Sequence, residues 1–178
     1  MEIPERIWVT YLELREAPAR AKPRTGPERI RREVMTGADY LDLYRRVGEP
    51  LRWDTRLKMP GGELESLLAA GSLHIYVLRG AEVGTPGGGS MCPALGFCEF
   101  ERHAFPEIEL KHFGLVPEAQ RRGLGLWLLS TALCHEWASG AKRIWLHTDT
   151  WDHPAAVPVY RRAGFNVYDA QYQALEGL

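Results

Sequence analysis

An α/β layer fold is predicted by two observations. Strand-like and helix-like segments follow one another in mixed order without internal repeat, the arrangement in which helices pack on a sheet. Within that order, the stretch from Glu107 to Leu115 leads into the glycine turn Gln120-Arg121-Arg122-Gly123-Leu124-Gly125 and then a long amphipathic run, which reads as strand, anion-binding loop and helix. With 178 residues, 45% hydrophobic and 25% charged, the chain can build a substantial core, and residues 1–178 are read as one domain.

Each element has a local reason. Ile7 to Arg15 is rich in β-branched and aromatic residues and, when extended, turns Trp8, Leu12 and Leu14 to one side, so a strand is predicted over about 7–15. Pro18, Pro23 and Pro27 exclude both ladder and helix from residues 17–27, which makes them a connector. A short strand is predicted from about Arg29 to Met35, then a helix capped by Thr36 or Asp39, carrying Tyr40, Leu43, Tyr44 and Val47, and stopped by Gly48 and Pro50. Leu51 to Pro60 reads as a loop or short turn, and about Gly62 to Ala70 as a second helix through Leu64, Leu67 and Leu68.

Leu73 to Leu78 and Ala94 to Phe100 are strand-like. The Thr-Pro-Gly-Gly-Gly-Ser segment between them is a hairpin loop rather than a phosphate loop, because it leads into a strand and lacks the Gly-Lys-Ser/Thr ending. After the strand Glu107 to Leu115, a helix from roughly Gly123 to Trp137 sets Leu126, Leu129, Leu133 and Trp137 along one side and ends at Gly140. Arg143 to Thr148 is the next strand. Asp152-His-Pro opens a further helix, with aspartate at the N-cap and proline in the first turn, and Gly164 closes it before the strand Phe165 to Tyr168.

A net charge of −1 gives no case for nucleic acid or an anionic membrane as partner, and points to a small molecule or peptide. The first residues lack the basic flank and apolar core of a signal peptide, and no run approaches the ~20 apolar residues of a membrane span, so a cytoplasmic location is expected. Cys92, Cys98 and Cys134 are odd in number and lack C-x-x-C spacing, which supports neither a disulfide framework nor a zinc site. His147, Asp149 and His153 do not form a specific metal signature either, and no metal is expected.

Two glycines within three residues at Gly123 and Gly125 let backbone N–H groups at a helix start approach a bulky anion, with phosphate the expected guest. Here the sequence resembles the GNAT N-acetyltransferase family, whose acetyl-CoA loop follows Q/R-x-x-G-x-G/A. A second stretch, Asp152-His-Pro-Ala-Ala-Val-Pro-Val-Tyr-Arg-Arg-Ala-Gly-Phe165, is similar to the family's N-x-x-A-x-x-x-Y-x-x-x-G-F helix. The resemblance covers Ala94 to Tyr168 well and the earlier half by element order alone. His153 departs from the usual asparagine, and Pro158 removes an N–H and is expected to bend the helix near its middle.

The resemblance implies the GNAT acyl-CoA N-acyltransferase fold, a central mixed twisted sheet flanked by helices, with acceptor-side helices over about 38–70 and an acetyl-CoA core over about 94–168. It implies acetyl-CoA as cosubstrate, held by Gln120, Arg121, Arg122, Gly123, Leu124 and Gly125, by His153 and Ala156, and by the backbone of Leu115 and Val116, where the strand is expected to part from its neighbour and pair with pantetheine. Arg121 and Arg122 either neutralise phosphates or point to solvent. Trp53 either lines the acceptor groove or covers core from its rim.

Acetyl transfer to an amine needs a proton acceptor at nitrogen and a proton for the departing sulfur. Glu109 lies eleven positions before Gln120, the spacing at which histone-type relatives carry a glutamate base. Strand alternation puts Glu107, Glu109 and Lys111 on one face and Ile108, Leu110 and His112 on the other, so Glu109 is either a base in a cleft, with Glu107 as alternative, or a solvated outer residue. Tyr160 matches the tyrosine that serves the coenzyme A thiolate, and a core tyrosine is the other reading. The expected activity is direct transfer to a primary amine of a small molecule or peptide in a ternary complex. A catalytically silent acyl-CoA sensor or assembly domain is the rival. About thirteen residues follow Phe165 where the family commonly uses two more strands, so the N-terminal strand, or the partner subunit of a homodimer, is expected to cover the open edge.

Overall fold

The computed structural model describes residues 6–84 and 90–174. Its strands are Arg6–Leu14 (β1), Arg29–Glu33 (β2), Leu73–Arg79 (β3), Val83–Gly84 (β4), Ser90–Met91 (β5), Ala94–Glu101 (β6), Glu107–Leu115 (β7), Arg143–Asp149 (β8) and Asn166–Ala174 (β9). The helices are Gly37–Gly48 (α1), Gly61–Ala69 (α2), Leu124–Ala138 (α3) and Ala156–Arg162 (α4). The opening residues read for a leader, and residues 85–89 of the glycine-rich loop, lie outside the described residues; β4 and β5 pair antiparallel on either side of the latter.

Seven strands form one mixed sheet in the order β2-β3-β6-β7-β8-β1-β9. β7 and β8 run parallel and α3 bridges them; the other neighbours are antiparallel. β3 and β6 are buried on both faces, as their continuous apolar runs require. Phe97 and Glu99 of β6 meet Tyr40 of α1 on one face, while Tyr76 of β3 meets His135 and Glu136 of α3 on the other, so the helices cover both sides.

β1 lies between β8 and β9 and pairs antiparallel with both, the first of the two arrangements expected for the open edge. Leu12 and Leu14 are buried in the core; Trp8 shares their side of the ladder but extends beyond it, 39% exposed and edge-on to Tyr172 at 4.8 Å.

Several local expectations are corrected. Thr36, not Asp39, caps α1: its Oγ1 accepts the Asp39 N–H at 3.2 Å. α1 does end at Gly48, and the chain tightens there into a 3-10 turn at Glu49–Leu51 that closes at Arg52 with φ 60°. Gly48 also admits the Trp53 ring, since a Cβ there would lie 2.6 Å from Trp53 Cε3. α4 begins at Ala156 rather than at Asp152, which places Pro158 in the first turn, where a missing N–H leaves no bond unmade, so no bend follows.

The buried side of α3 runs through Leu124, Leu128, Leu129, Ala132, Leu133 and Glu136, while Leu126 and Trp137 are half-buried at its margin. Glu136 is the reason that a simple apolar stripe misplaces the face. Its Oε1 accepts from the Tyr76 hydroxyl at 2.7 Å and from His74 Nδ1 at 2.6 Å, and Arg102 Nε lies 3.3 Å from Oε2. His74 Nε2 faces guanidinium donors of Arg32 at 3.0 Å and Arg102 at 3.2 Å, so Nε2 accepts and Nδ1 carries the proton given to Glu136. A buried carboxylate paired in this way is tolerated.

Candidate active site

The strand β7 opens the site. It pairs with β8 only at Glu107, Ile108 and Glu109, opposite Arg143, Ile144 and Trp145, and the two strands then part. On its other edge β7 stays on β6, with a bulge that leaves Lys111 unmatched, because Glu99 faces His112 while Phe100 faces Leu110. The bulge reverses the alternation: His112 comes round to the same face as Glu109, contrary to the parity expected from an unbroken strand. A cleft of about 880 Å³ fills the gap and is lined at one end by Glu109, Trp145 and His147 and at the other by Gly123, Gly125 and Tyr160.

Backbone groups at the parted edge follow from the ladder. Val116 N–H donates to the Leu95 carbonyl at 3.0 Å, so it points toward β6. Val116 is also fully buried and does not line the cleft, which removes it from the expected pantetheine contacts. Alternation turns the main-chain groups of Leu115 and Phe113 toward the opening instead. The Leu115 carbonyl accepts from Gln120 Nε2 at 3.3 Å, tying the loop to the strand end. Phe113 was absent from the expected set, although two-residue periodicity back from Leu115 would have found it.

The loop reaches α3 through two left-handed residues, Arg121 with φ 59° and Gly123 with φ 71°. Among the described residues no side chain caps α3, so its first N–H groups face the cleft beside Arg121, Gly123, Leu124 and Gly125. Four orphan donors and the positive end of a 15-residue helix suit an anion, and the absence of a Cβ at Gly125 keeps the approach clear, so the cradle fits a pyrophosphate. The Leu124 side chain is itself fully buried and contributes only backbone there. Arg122 does not line the cleft; its guanidinium pairs with Glu28 at 2.6 Å.

α4 closes the far wall. Ala156 and His153 line the cleft, and His153 Nδ1 accepts the Ala155 N–H at 3.1 Å, forming the turn into the helix. Tyr160 packs its ring against Phe113 and Phe165, with centroids 5.9 and 6.0 Å away. Burial, reinforced by the charge of Asp152, raises the phenol pKa, so the hydroxyl remains a proton donor. Asp152, expected as a helix cap, accepts from Thr148 Oγ1 at 2.6 Å and from Trp53 Nε1 at 3.4 Å, and thereby spans from α4's approach to the acceptor-side loop.

At the acceptor end, Glu109 is largely buried and lies 3.3 Å from Lys111 Nζ and 3.5 Å from His147 Nδ1. Burial pushes its pKa up, but the His147 hydrogen bond and the Lys111 charge outweigh that and hold the carboxyl below its usual range. Glu107, the alternative base, is exposed and pairs with Arg143 at 2.9 Å outside the cleft. Asp149 accepts the Trp151 N–H at 2.7 Å, so His147, Asp149 and His153 each serve a separate contact.

The group beneath this wall carries no local sequence signature. Glu99 is fully buried and binds Arg56 and the Tyr40 hydroxyl, with His112 Nδ1 3.3 Å away. Burial would raise its pKa, yet His112 and Arg56 bring it down to about 2. Arg56 also holds Glu101 at 2.6 Å. His112 lines the cleft between Tyr44 and Trp53, with ring centroids 5.0 and 5.1 Å away. A non-local bulge brings it there, and no local motif marks one.

Residues 56–165 match the family described as Acetyltransferase (GNAT) family. Among solved structures, a GCN5-related N-acetyltransferase from Sphaerobacter thermophilus aligns with 96% of this chain and 52% of its own, at 18% identity and TM-score 0.58. A functionally unknown conserved protein from Staphylococcus epidermidis aligns over 94% and 60%, at 16% identity and TM-score 0.60. An aminoglycoside acetyltransferase from an uncultured soil metagenomic sample, in complex with trehalose, aligns over 78% and 88%, at 14% identity and TM-score 0.58. At these identities the likeness is one of fold, and the chain spans about half to three-fifths of the length of the first two. None of the curated proteins matches the sequence.

Proposed function

The chain belongs to the GNAT family of acetyltransferases, and on that footing we propose that it transfers an acetyl group from acetyl-CoA to a primary amine of a small molecule or peptide, by direct attack in a ternary complex. The observation that carries this reading is one cleft shared by an uncapped helix start, a parted strand edge, a protonated tyrosine and an ionised glutamate.

The N–H groups of Gly123, Leu124 and Gly125 would hold the pyrophosphate, and the main chain of Leu115 and Phe113 the pantetheine arm. Acetyl-CoA supplies a thioester, whose acyl carbon takes the amine nitrogen and whose sulfur leaves. Glu109 accepts the amine proton, directly or through water, and Tyr160 donates a hydrogen bond or proton at the departing sulfur. The lowered pKa of Glu109 makes it a modest base and a good partner for a cation. It therefore suits amines nearer an α-amine's ~8 than a lysine's ~10.4, or a relay through water. Trp53, Trp145 and Tyr11 line the acceptor end and offer aromatic faces to such a cation.

Calorimetric titration with acetyl-CoA, paired with thiol release over a panel of amines, tests the proposal. Saturable binding with turnover of at least one amine supports it; binding without turnover of any would favour an acyl-CoA sensor or assembly domain.

A further inference from the structure

Because β1 is sixth and β2 first in the sheet order, the connector between them must cross the molecule. It does so along the outside of α3. Cys134 Sγ meets the Ala19 carbonyl at 3.6 Å, the Arg24 guanidinium lies 5.8 Å from the Trp127 ring centre, and Glu28 reaches Arg122 at 2.6 Å. Successive connector residues thus meet successively earlier positions of α3, ending at its start. Three prolines, at 18, 23 and 27, narrow the path this strap can take.

Arg24 stands where the strap passes the glycine loop. Its Nη1 is the nearest atom to a Cβ built on Gly123, at 3.5 Å. The neighbouring cation, Arg122, is already neutralised by Glu28, whereas Arg24 makes no ion pair among the described residues and is held by the indole of Trp127. A cation–π contact of this kind restrains a guanidinium while leaving its N–H fork available, a preorganisation that suits phosphate.

We propose that Arg24 is a cosubstrate-binding residue, delivered by the strap to the pyrophosphate at the start of α3. This rests on the acetyl-CoA reading of that loop. The fork adds charge-assisted hydrogen bonds to those of the backbone N–H groups, so the site is completed by a segment about a hundred residues earlier in sequence than the loop it serves.

The test is calorimetric affinity of wild type, Arg24→Ala and Arg24→Lys for coenzyme A and for 3′-dephospho-coenzyme A, with thermal melting as a folding control on this exposed position. Arg24→Ala should weaken both ligands by about tenfold, and Arg24→Lys by less, with no change in melting. Loss for coenzyme A alone would move the contact to the 3′-phosphate and overturn the pyrophosphate assignment. Unchanged affinity for both would overturn the role of Arg24 while leaving the loop intact. Failure of the wild type to bind either ligand would instead remove the cosubstrate reading itself.

Discussion

Replacing Arg56 by methionine tests how the acceptor wall is held. The Arg56 side chain is 5% exposed and bridges Glu99, which is fully buried, to Glu101, which is 18% exposed. Removing the guanidinium leaves two carboxylates on one face with only His112, 3.3 Å from Glu99, to offset the nearer charge. Breaking a buried pair from one side costs roughly 3–5 kcal/mol. For a chain of this size that is a fall in melting temperature of roughly 6–20 °C.

The deficit has a pH signature. Glu99 has its pKa depressed to about 2 by His112 and Arg56, with the Tyr40 hydroxyl assisting, so its stabilisation is present above its unfolded value of ~4.3 and lost as pH falls through the folded one. Without Arg56 that depression shrinks, and the gap between variant and wild type should narrow below about pH 4. Urea melts at pH 7 and pH 3.5 measure both effects. The double variant Arg56→Met/Glu99→Leu, which removes the orphaned charge, should recover most of the lost stability. A double variant no more stable than Arg56→Met would refute the account, because the loss would then come from packing alone.

Other perturbations address the chemistry and the architecture. Tyr160→Phe keeps the ring contacts with Phe113 and Phe165, so turnover should drop about 10²–10⁴-fold while acetyl-CoA affinity stays within about threefold; a matching loss in affinity by calorimetry would contradict a role at the sulfur. Gly123→Asp forces a side chain into φ 71° and places a carboxylate in the anion cradle, and titration should show no acetyl-CoA binding; retained binding would place the cosubstrate elsewhere. Deleting the residues before Glu16 removes the strand that pairs with both β8 and β9, and should yield an insoluble chain or one lacking a cooperative melt; a soluble variant with unchanged melting would show that β1 is dispensable.

Much of this fold was legible where its causes are local. The strand Glu107 to Leu115 has its predicted bounds, and Gly123 announces a left-handed turn because few other residues tolerate one. The fold and family were recoverable from the two motifs flanking α3 and β8. The site was less so, since its face is set by an unmatched Lys111 that depends on how β6 and β7 pair rather than on either sequence alone. His112 thus read as a residue of the opposite face. Arg122 and Val116 failed for a similar reason: Glu28 and Leu95, their partners, come from distant segments. Glu136 and Glu99, each in a mostly apolar segment, gave no hint that histidine, tyrosine and arginine would converge on them.

The position of β1 bears on how the molecule reaches its native state. It precedes the other strands of the seven-stranded sheet in chain order, whereas β8 and β9, its two neighbours, follow all the rest. Every ladder pair of β1 among the described residues therefore closes a loop of more than a hundred residues, which raises contact order and slows the search. Ile7, Val9, Leu12 and Leu14 are buried in the finished sheet yet have no ladder partner until β8 and β9 are present, and unpaired apolar strand of this kind is the surface on which incompletely folded chains associate. Completion of the sheet consequently waits for β9 to become available rather than for formation of the glycine loop.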